Sequence, residues 1–137
     1  MIKIVVDTNQ YLSVFVFRGQ LVKKVFELVI DKKIGLYISP ALTDEIKEKL
    51  QEFKVGKQIE NDVTSFMKKG ITVEPTIHIE ACRDPKDNFL LELAQTAHAD
   101  YLITRDKDLL DMKRWKTTKI IKPEDFLPTL RKKKLLS

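Results

Sequence analysis

The sequence predicts an α/β domain built on a central, mainly parallel five-stranded sheet with helices on both faces. Short β-branched runs with few charges, such as residues 2–6 (IKIVV), read as strands buried on both sides. Segments with apolar residues at helical spacing separate these runs, the pattern of βαβ units joined by right-handed crossovers. Acidic residues recur just after the runs or at helix starts: Asp7, Glu45, Asp87 and Asp106. In open parallel sheets the carboxyl ends of the strands form the binding crevice.

The elements follow in order. Residues 2–6 form the first strand. Residues 8–17 carry Leu12, Val14, Phe15, Val16 and Phe17 and predict a helix ending before Gly19. Residues 20–31 place Leu21, Val22, Val25, Leu28 and Val29 on one helical stripe. Gly35–Ile38 is the second strand. Ser39 and Pro40 then read as an N-cap with proline at the first helical position, opening a helix with Leu42, Ile46, Leu50 and Phe53 on one face. Gly56 interrupts that pattern. Ile59, Val63, Phe66 and Met67 form a further stripe within 57–69, closed by Gly70. Residues 71–74 (ITVE) are the third strand and 74–85 a loop. A helix runs from Pro85 to about His98, with Phe89, Leu90, Leu93, Ala94 and Ala97 inward. Residues 101–104 are the fourth strand, 107–112 a short helix, 119–121 the fifth strand and 123–130 a closing helix. The basic residues 131–137 are expected to fray.

A chain of 137 residues with 43% hydrophobic content supports one compact domain, here residues 1–130 followed by that tail. The net charge of +5 favours an anionic partner such as nucleic acid. The single cysteine, Cys82, forms no intramolecular disulfide, which fits a reducing cytoplasm. His78 and His98 are too few for a structural zinc site. No apolar run reaches the roughly 20 residues of a membrane helix, and no secretory signal opens the chain, so a cytoplasmic protein is expected.

Each acid has a structural explanation beside the functional one. Asp84-Pro85-Lys86-Asp87 reads as an N-cap, a proline at N1 and an acid reaching back in a capping box. Asp84 is assigned to capping, whereas Asp87 is a cap or a ligand. Asp106 can cap the short helix after it, and Glu45 can be a solvated helical residue. Asp7 resists such an explanation. It ends a central strand, where burial of a carboxylate requires a cation or hydrogen bonds. Asn9 is placed to orient it. Carboxylates gathered in one crevice repel one another unless a cation or protons neutralise them.

The segments IVVDTN, ISPALTDEIKEKL, RDPKDNFLLELAQTAHADYLITRDKDLL and IIKPEDFL resemble PIN-domain proteins, in particular the prokaryotic VapC-like toxin components of toxin–antitoxin systems. The resemblance spans roughly residues 2–130, and its most specific stretch is 84–110. It implies a three-layer α/β/α sandwich and an acidic cluster that binds Mg²⁺ or Mn²⁺ and cleaves RNA. Residue by residue, it places Asp7, Glu45, Asp87 and Asp106 in that cluster, with Asn9 and Thr104 as supporting polar residues. The chain departs from the family pattern at Gln10, where an apolar residue is usual, and at His98 and Arg105, where glycine is common. None of the three removes a carboxylate.

Hard oxygen ligands suit Mg²⁺ and Mn²⁺, which keep part of their water. Asp7 would anchor the principal metal, Asp87 and Asp106 would complete its shell, and Glu45 would hold a second ion or orient the attacking water. Arg83, Lys86, Arg105 and Lys107 flank these acids and are candidates to hold the RNA backbone. Tyr11 or Trp115 can stack on a base, although core packing accounts for either. Single-stranded or looped RNA reaches a recessed site more readily than duplex. The resemblance further implies an antitoxin protein as partner, and homodimers are common among such domains. The apolar Val14, Phe15, Val16 and Phe17 suit helix core or an interface. Two other functions compete: a non-catalytic RNA- or antitoxin-binding module, and a phosphohydrolase with Asp7 as nucleophile. The latter chemistry calls for an acid two residues on, where Asn9 stands.

Overall fold

The computed structural model describes residues 1–134. Its strands are β1 (Lys3–Val6), β2 (Gly35–Ile38), β3 (Ile71–Thr72), β4 (Tyr101–Ile103), β5 (Arg114–Trp115) and β6 (Thr118–Ile121). The helices are α1 (Thr8–Phe15), α2 (Gln20–Ile30), α3 (Pro40–Glu52), α4 (Lys57–Met67), α5 (Asn88–Ala97), α6 (Lys107–Leu110) and α7 (Pro123–Lys132). A 3-10 turn, Pro85–Asp87, precedes α5.

The strand order is β3-β2-β1-β4-β6-β5, and every pairing is parallel except β5 with β6. From β1 the chain crosses outward to β2 and β3, then returns to place β4 on the other side of β1. Right-handed crossovers in opposite directions put their helices on opposite faces. The α1–α4 crossovers therefore cover one face, and α5 lies on the other, packed on β1, β2 and β4. The result is the expected three-layer α/β/α sandwich. Its topological switch point is the gap between the carboxyl ends of β1 and β4, where a doubly wound sheet opens a crevice.

Burial explains why β1 and β4 stand at the centre. Ile4, Val5, Val6, Leu102 and Ile103 are all fully buried, matching the charge-free runs of their sequences. Under α1, α2 and α4 lies an aromatic cluster in which Phe26 stacks on Phe66 with centroids 4.3 Å apart and tilts against Tyr11 at 5.2 Å. Tyr11 is thus a core residue. At the start of α3 the Ser39 hydroxyl accepts a hydrogen bond from the Leu42 amide at 3.3 Å, and Pro40 follows it. This cap fixes where α3 begins and hence where Glu45 stands.

The sheet has six strands where five are expected. The additional strand, β5, is a two-residue edge formed by a hairpin with β6. Its Arg-Trp sequence carries no strand signal, and the pairing comes from tertiary contact. The third strand is shorter than ITVE, and α1 stops at Phe15, leaving Phe17 62% exposed. Helix α7 continues through Lys132, so two residues of the expected tail are helical. The expectation for residues 135–137 lies outside the described residues. Among the described residues no helix is long and apolar enough to cross a membrane.

His98 closes α5 in the left-handed conformation, with φ 52° and ψ 46°. A side chain there costs about 1 kcal/mol relative to glycine, which gives the family's glycine at this position a physical reason. His98→Gly is expected to raise stability by up to about 1 kcal/mol, less what glycine adds to unfolded-chain entropy. Chemical denaturation measures this, and a loss of stability would contradict it.

Candidate active site

Two adjacent strands deliver the first acids. Val6 lies opposite Ile103, so Asp7 and Thr104 leave the sheet side by side. The Asp7 amide donates to the Ile103 carbonyl at 3.0 Å, and the Thr104 amide donates to the Ile121 carbonyl at 3.0 Å. With its backbone fixed, the buried Thr104 hydroxyl donates to Asp7 Oδ2 at 2.7 Å and accepts from the Asp106 amide at 3.0 Å. One threonine thus orients Asp7 and anchors the turn that carries Asp106. The expected support from Asn9 is not seen. Asn9 is exposed and makes no side-chain hydrogen bond among the described residues.

Asp87 and Glu45 come from the helical layers. Asp84 Oδ1 accepts from the Lys86 amide at 3.0 Å and caps the 3-10 turn, as expected. Asp87 makes no capping bond, contrary to the capping-box reading. Its side chain instead faces Asp106, to which it donates when protonated. Asp106 accepts from the Asp108 amide at 3.2 Å, so it caps α6 as well as facing Asp87. Glu45, on α3, lies across from Thr8, the first residue of α1. The Thr8 hydroxyl favours the ionised form of Glu45, yet it closes no hydrogen bond of normal length.

The acids carry the electrostatic signature of crowding. Burial pushes Asp7 up to about 6, and the neighbouring charges of Glu45 and Asp106 add to this against the Thr104 hydrogen bond. Desolvation, then the proton shared with Asp106 and its charge, lift Asp87 to about 8. Glu45 is raised by burial, with nearby Lys49 and Lys86 opposing. Cys82 reports the same field. Its thiol is pushed up to about 11 by burial first and then by Asp87, Asp106, Asp84 and Asp108. At neutral pH it is therefore no nucleophile.

Residues that could hold a cation are Asp7, Asp87, Asp106 and Glu45, all hard oxygen donors. Two buried hydroxyls without hydrogen-bond partners among the described residues, Thr8 Oγ1 and Tyr11 Oη, adjoin Glu45 and Asp7 respectively. Among the described residues no three acidic, thiol or imidazole groups converge tightly enough to cage an ion by themselves.

Three of the four flanking cations are already engaged. Arg83 pairs with Asp108 at 3.2 Å and Asp111 at 3.6 Å, and Lys107 pairs with Asp111 at 2.9 Å. Arg105 pairs with Glu124 at 2.9 Å and donates to Gln10 Oε1 at 3.0 Å. Of the four, only Lys86 is without an ion pair among the described residues, and it acts on Glu45. Trp115 sits on the β5 edge and donates to Gln95 at 2.9 Å, which gives its indole a structural partner.

The Gln10–Arg105 bond joins two of the three departures from the family pattern. Gln10 is 3% exposed, and Arg105 satisfies its buried carbonyl. Each departure is visible in the sequence, but nothing there signals that the two residues meet. Arg105→Ala is expected to cost about 1–3 kcal/mol by orphaning that acceptor, and adding Gln10→Leu to the Arg105→Ala variant should recover most of it. A double-mutant cycle in urea measures this; additive effects would contradict the coupling.

The fold is that of a doubly wound α/β protein, with Asp7 and the Thr104–Asp106 turn at its topological switch point. A family model for the PIN domain matches residues 3–108. An uncharacterised protein of Methanocaldococcus jannaschii is 30% identical over 118 residues, covering 82% of this chain and 76% of that protein. The chain belongs to the PIN domain family, whose members are generally nucleases. Its fold is similar to that of a chain in the VapBC2 complex of Rickettsia felis, crystallised with a DNA fragment from its promoter. The TM-score is 0.65 at 14% identity, covering 88% of this chain and 98% of that one.

Proposed function

We propose that this protein is a divalent-metal-dependent endoribonuclease, the toxin of a toxin–antitoxin pair, acting on single-stranded or looped RNA in the cytoplasm. The observation that carries the reading is the gathering of acids at the switch point: burial first, then the charges of Glu45 and Asp106, raise Asp7, and burial first, then Asp106 and Asp7, raise Asp87. Such perturbed groups in a crevice mark functional sites. Asp7, Asp87 and Asp106 would hold Mg²⁺ or Mn²⁺. When bound, the cation supplies Lewis-acid activation of water and offsets charge on the phosphoryl oxygens.

The chain's own residues do the rest. Thr104 fixes the Asp7 carboxylate so that one oxygen stays occupied by the hydroxyl. Glu45, raised by burial, orients the attacking water and accepts its proton as oxygen adds to phosphorus. The phosphorus–oxygen bond to the departing nucleotide then breaks, and that oxygen takes up a proton from solvent. Lys86, beside Glu45, is positioned for a phosphate oxygen. The other flanking cations can exchange their exposed acidic partners for phosphate, because such surface pairs are weak.

The likeness to a VapBC2 chain supports an antitoxin partner, and the exposed Phe17 and Phe53, 5.4 Å apart, offer it or a second copy of this chain an apolar surface. The test is cleavage of a mixed single-stranded RNA pool with Mg²⁺, with Mn²⁺ and with EDTA. Cutting that requires the metal is expected. RNA binding without cutting across diverse pools would instead favour the non-catalytic module.

A further inference from the structure

At the amino ends of the strands, the pole opposite the acidic centre, an open cavity of about 580 Å³ is lined by Lys33, Arg114, Lys119 and Lys133. Among the described residues Asp100 is the only carboxylate in its wall, and Asp100 Oδ2 already accepts from the Lys3 amide at 2.8 Å. Lys33, Arg114 and Lys119 form no ion pair among the described residues. Beside the acids, by contrast, Arg83, Arg105 and Lys107 are paired with carboxylates. Tyr101 adds aromatic surface to the same wall.

Tight turns shape the rim of the cavity. Lys32, Lys113 and Lys116 hold left-handed conformations, with φ of 60°, 63° and 53°. Each immediately precedes a lining residue: Lys33, Arg114 and Thr117. Glycine or asparagine suits such turns better, yet no glycine of the described chain has a positive φ. Arg18, Lys54 and Lys134 adopt the same conformation elsewhere in the chain, so these turns set the path of the cavity rim rather than mark it as a site.

We infer that this pole is a second nucleic-acid contact, which holds the phosphodiester backbone of a single-stranded RNA whose other segment lies in the acidic centre. The inference rests on the nuclease reading above and adds to it a substrate that wraps the sheet. A positively charged groove that tracks the backbone is what binds single strands without sequence preference, and here four cations supply it. The four steps from Lys3 to Asp7 span about 13 Å, so an RNA engaging both poles must be longer than one that fills the crevice alone.

The test measures binding separately from cutting. A labelled oligouridylate is titrated in EDTA, at several salt concentrations, against wild type, Asp7→Asn and the triple variant Lys33→Glu/Arg114→Glu/Lys119→Glu. Asp7→Asn, which removes a negative charge from the acidic centre, should bind no more weakly than wild type. The triple variant should bind at least tenfold more weakly, with a salt slope smaller by about 0.7 for each phosphate the variant no longer neutralises. The milder Lys33→Gln/Lys119→Gln pair guards against misfolding and should give a partial loss. Cleavage of a dinucleotide with Mn²⁺ should be unchanged in the two charge variants of this pole. Unaltered affinity and slope in both charge variants would overturn the inference. Equal displacement of the RNA by poly-L-glutamate of matched charge would overturn it too, in favour of an acidic protein partner. If binding depends on this pole and no metal-dependent cleavage is found, the nuclease reading fails and the RNA contact stands.

Discussion

Asp7→Asn is expected to reduce metal-dependent RNA cleavage by at least roughly a hundredfold, the scale of losing an anchoring ligand to a Lewis acid. In EDTA at pH 8 the same substitution is expected to stabilise the fold. Asp7 is 7% exposed, and burial holds its carboxyl at about 6 against an ordinary value of 3.8. Ionising it inside the protein therefore opposes folding by about 3 kcal/mol. Asparagine keeps an acceptor for the Thr104 hydroxyl and removes the charge. Activity lost together with stability gained marks a carboxylate retained for chemistry. A variant that loses both activity and stability would identify Asp7 as a structural residue.

The second large effect is the pH dependence of stability without metal. The folded protein holds protons on Asp7 up to about pH 6 and on Asp87 up to about pH 8, while the unfolded chain releases both near 3.8. Between those limits the native state binds more protons, so stability falls as pH rises from about 4 to about 8. Most carboxylates in native proteins act in the opposite sense. Asp87 is more exposed than Asp7, and solvent screening makes its share smaller than its shift implies. A divalent cation binds the ionised acids, so the stabilisation it gives grows with pH through the same window. Denaturation midpoints with EDTA and with Mn²⁺ should nearly coincide at pH 5 and diverge at pH 8. Curves that stay parallel would contradict this.

Much of the fold is legible in the sequence because its signals are local. The IVV run before Asp7, the Ser39-Pro40 cap and the Asp84-Pro85 turn each declare themselves within a few residues. Asp7 stands out for the same reason, as a charge directly after a buried strand. What lies hidden depends on contacts distant in sequence. Thr104 reaches Asp7 across 97 positions and Arg105 reaches Gln10 across 95. Strand β5 exists only because β6 pairs with it. Composition reveals the excess of positive charge but not its location, because pairing of Arg83, Arg105 and Lys107 with acids is a tertiary fact. Asp87 illustrates the limit. Its sequence context allows a cap or a ligand equally, and the contact that distinguishes it, with Asp106, comes from a segment distant in sequence.

The most direct test of the carboxylate centre is calorimetric titration of Mn²⁺ into the purified protein at pH 8, for wild type, Asp7→Asn, Asp106→Asn and Asp84→Asn. Asp84 is the control, an acid in the same segment whose carboxylate caps a turn. A carboxylate centre at the switch point predicts binding by wild type and Asp84→Asn and its loss in Asp7→Asn and Asp106→Asn. Undiminished binding in Asp7→Asn, or a loss confined to Asp84→Asn, would contradict it.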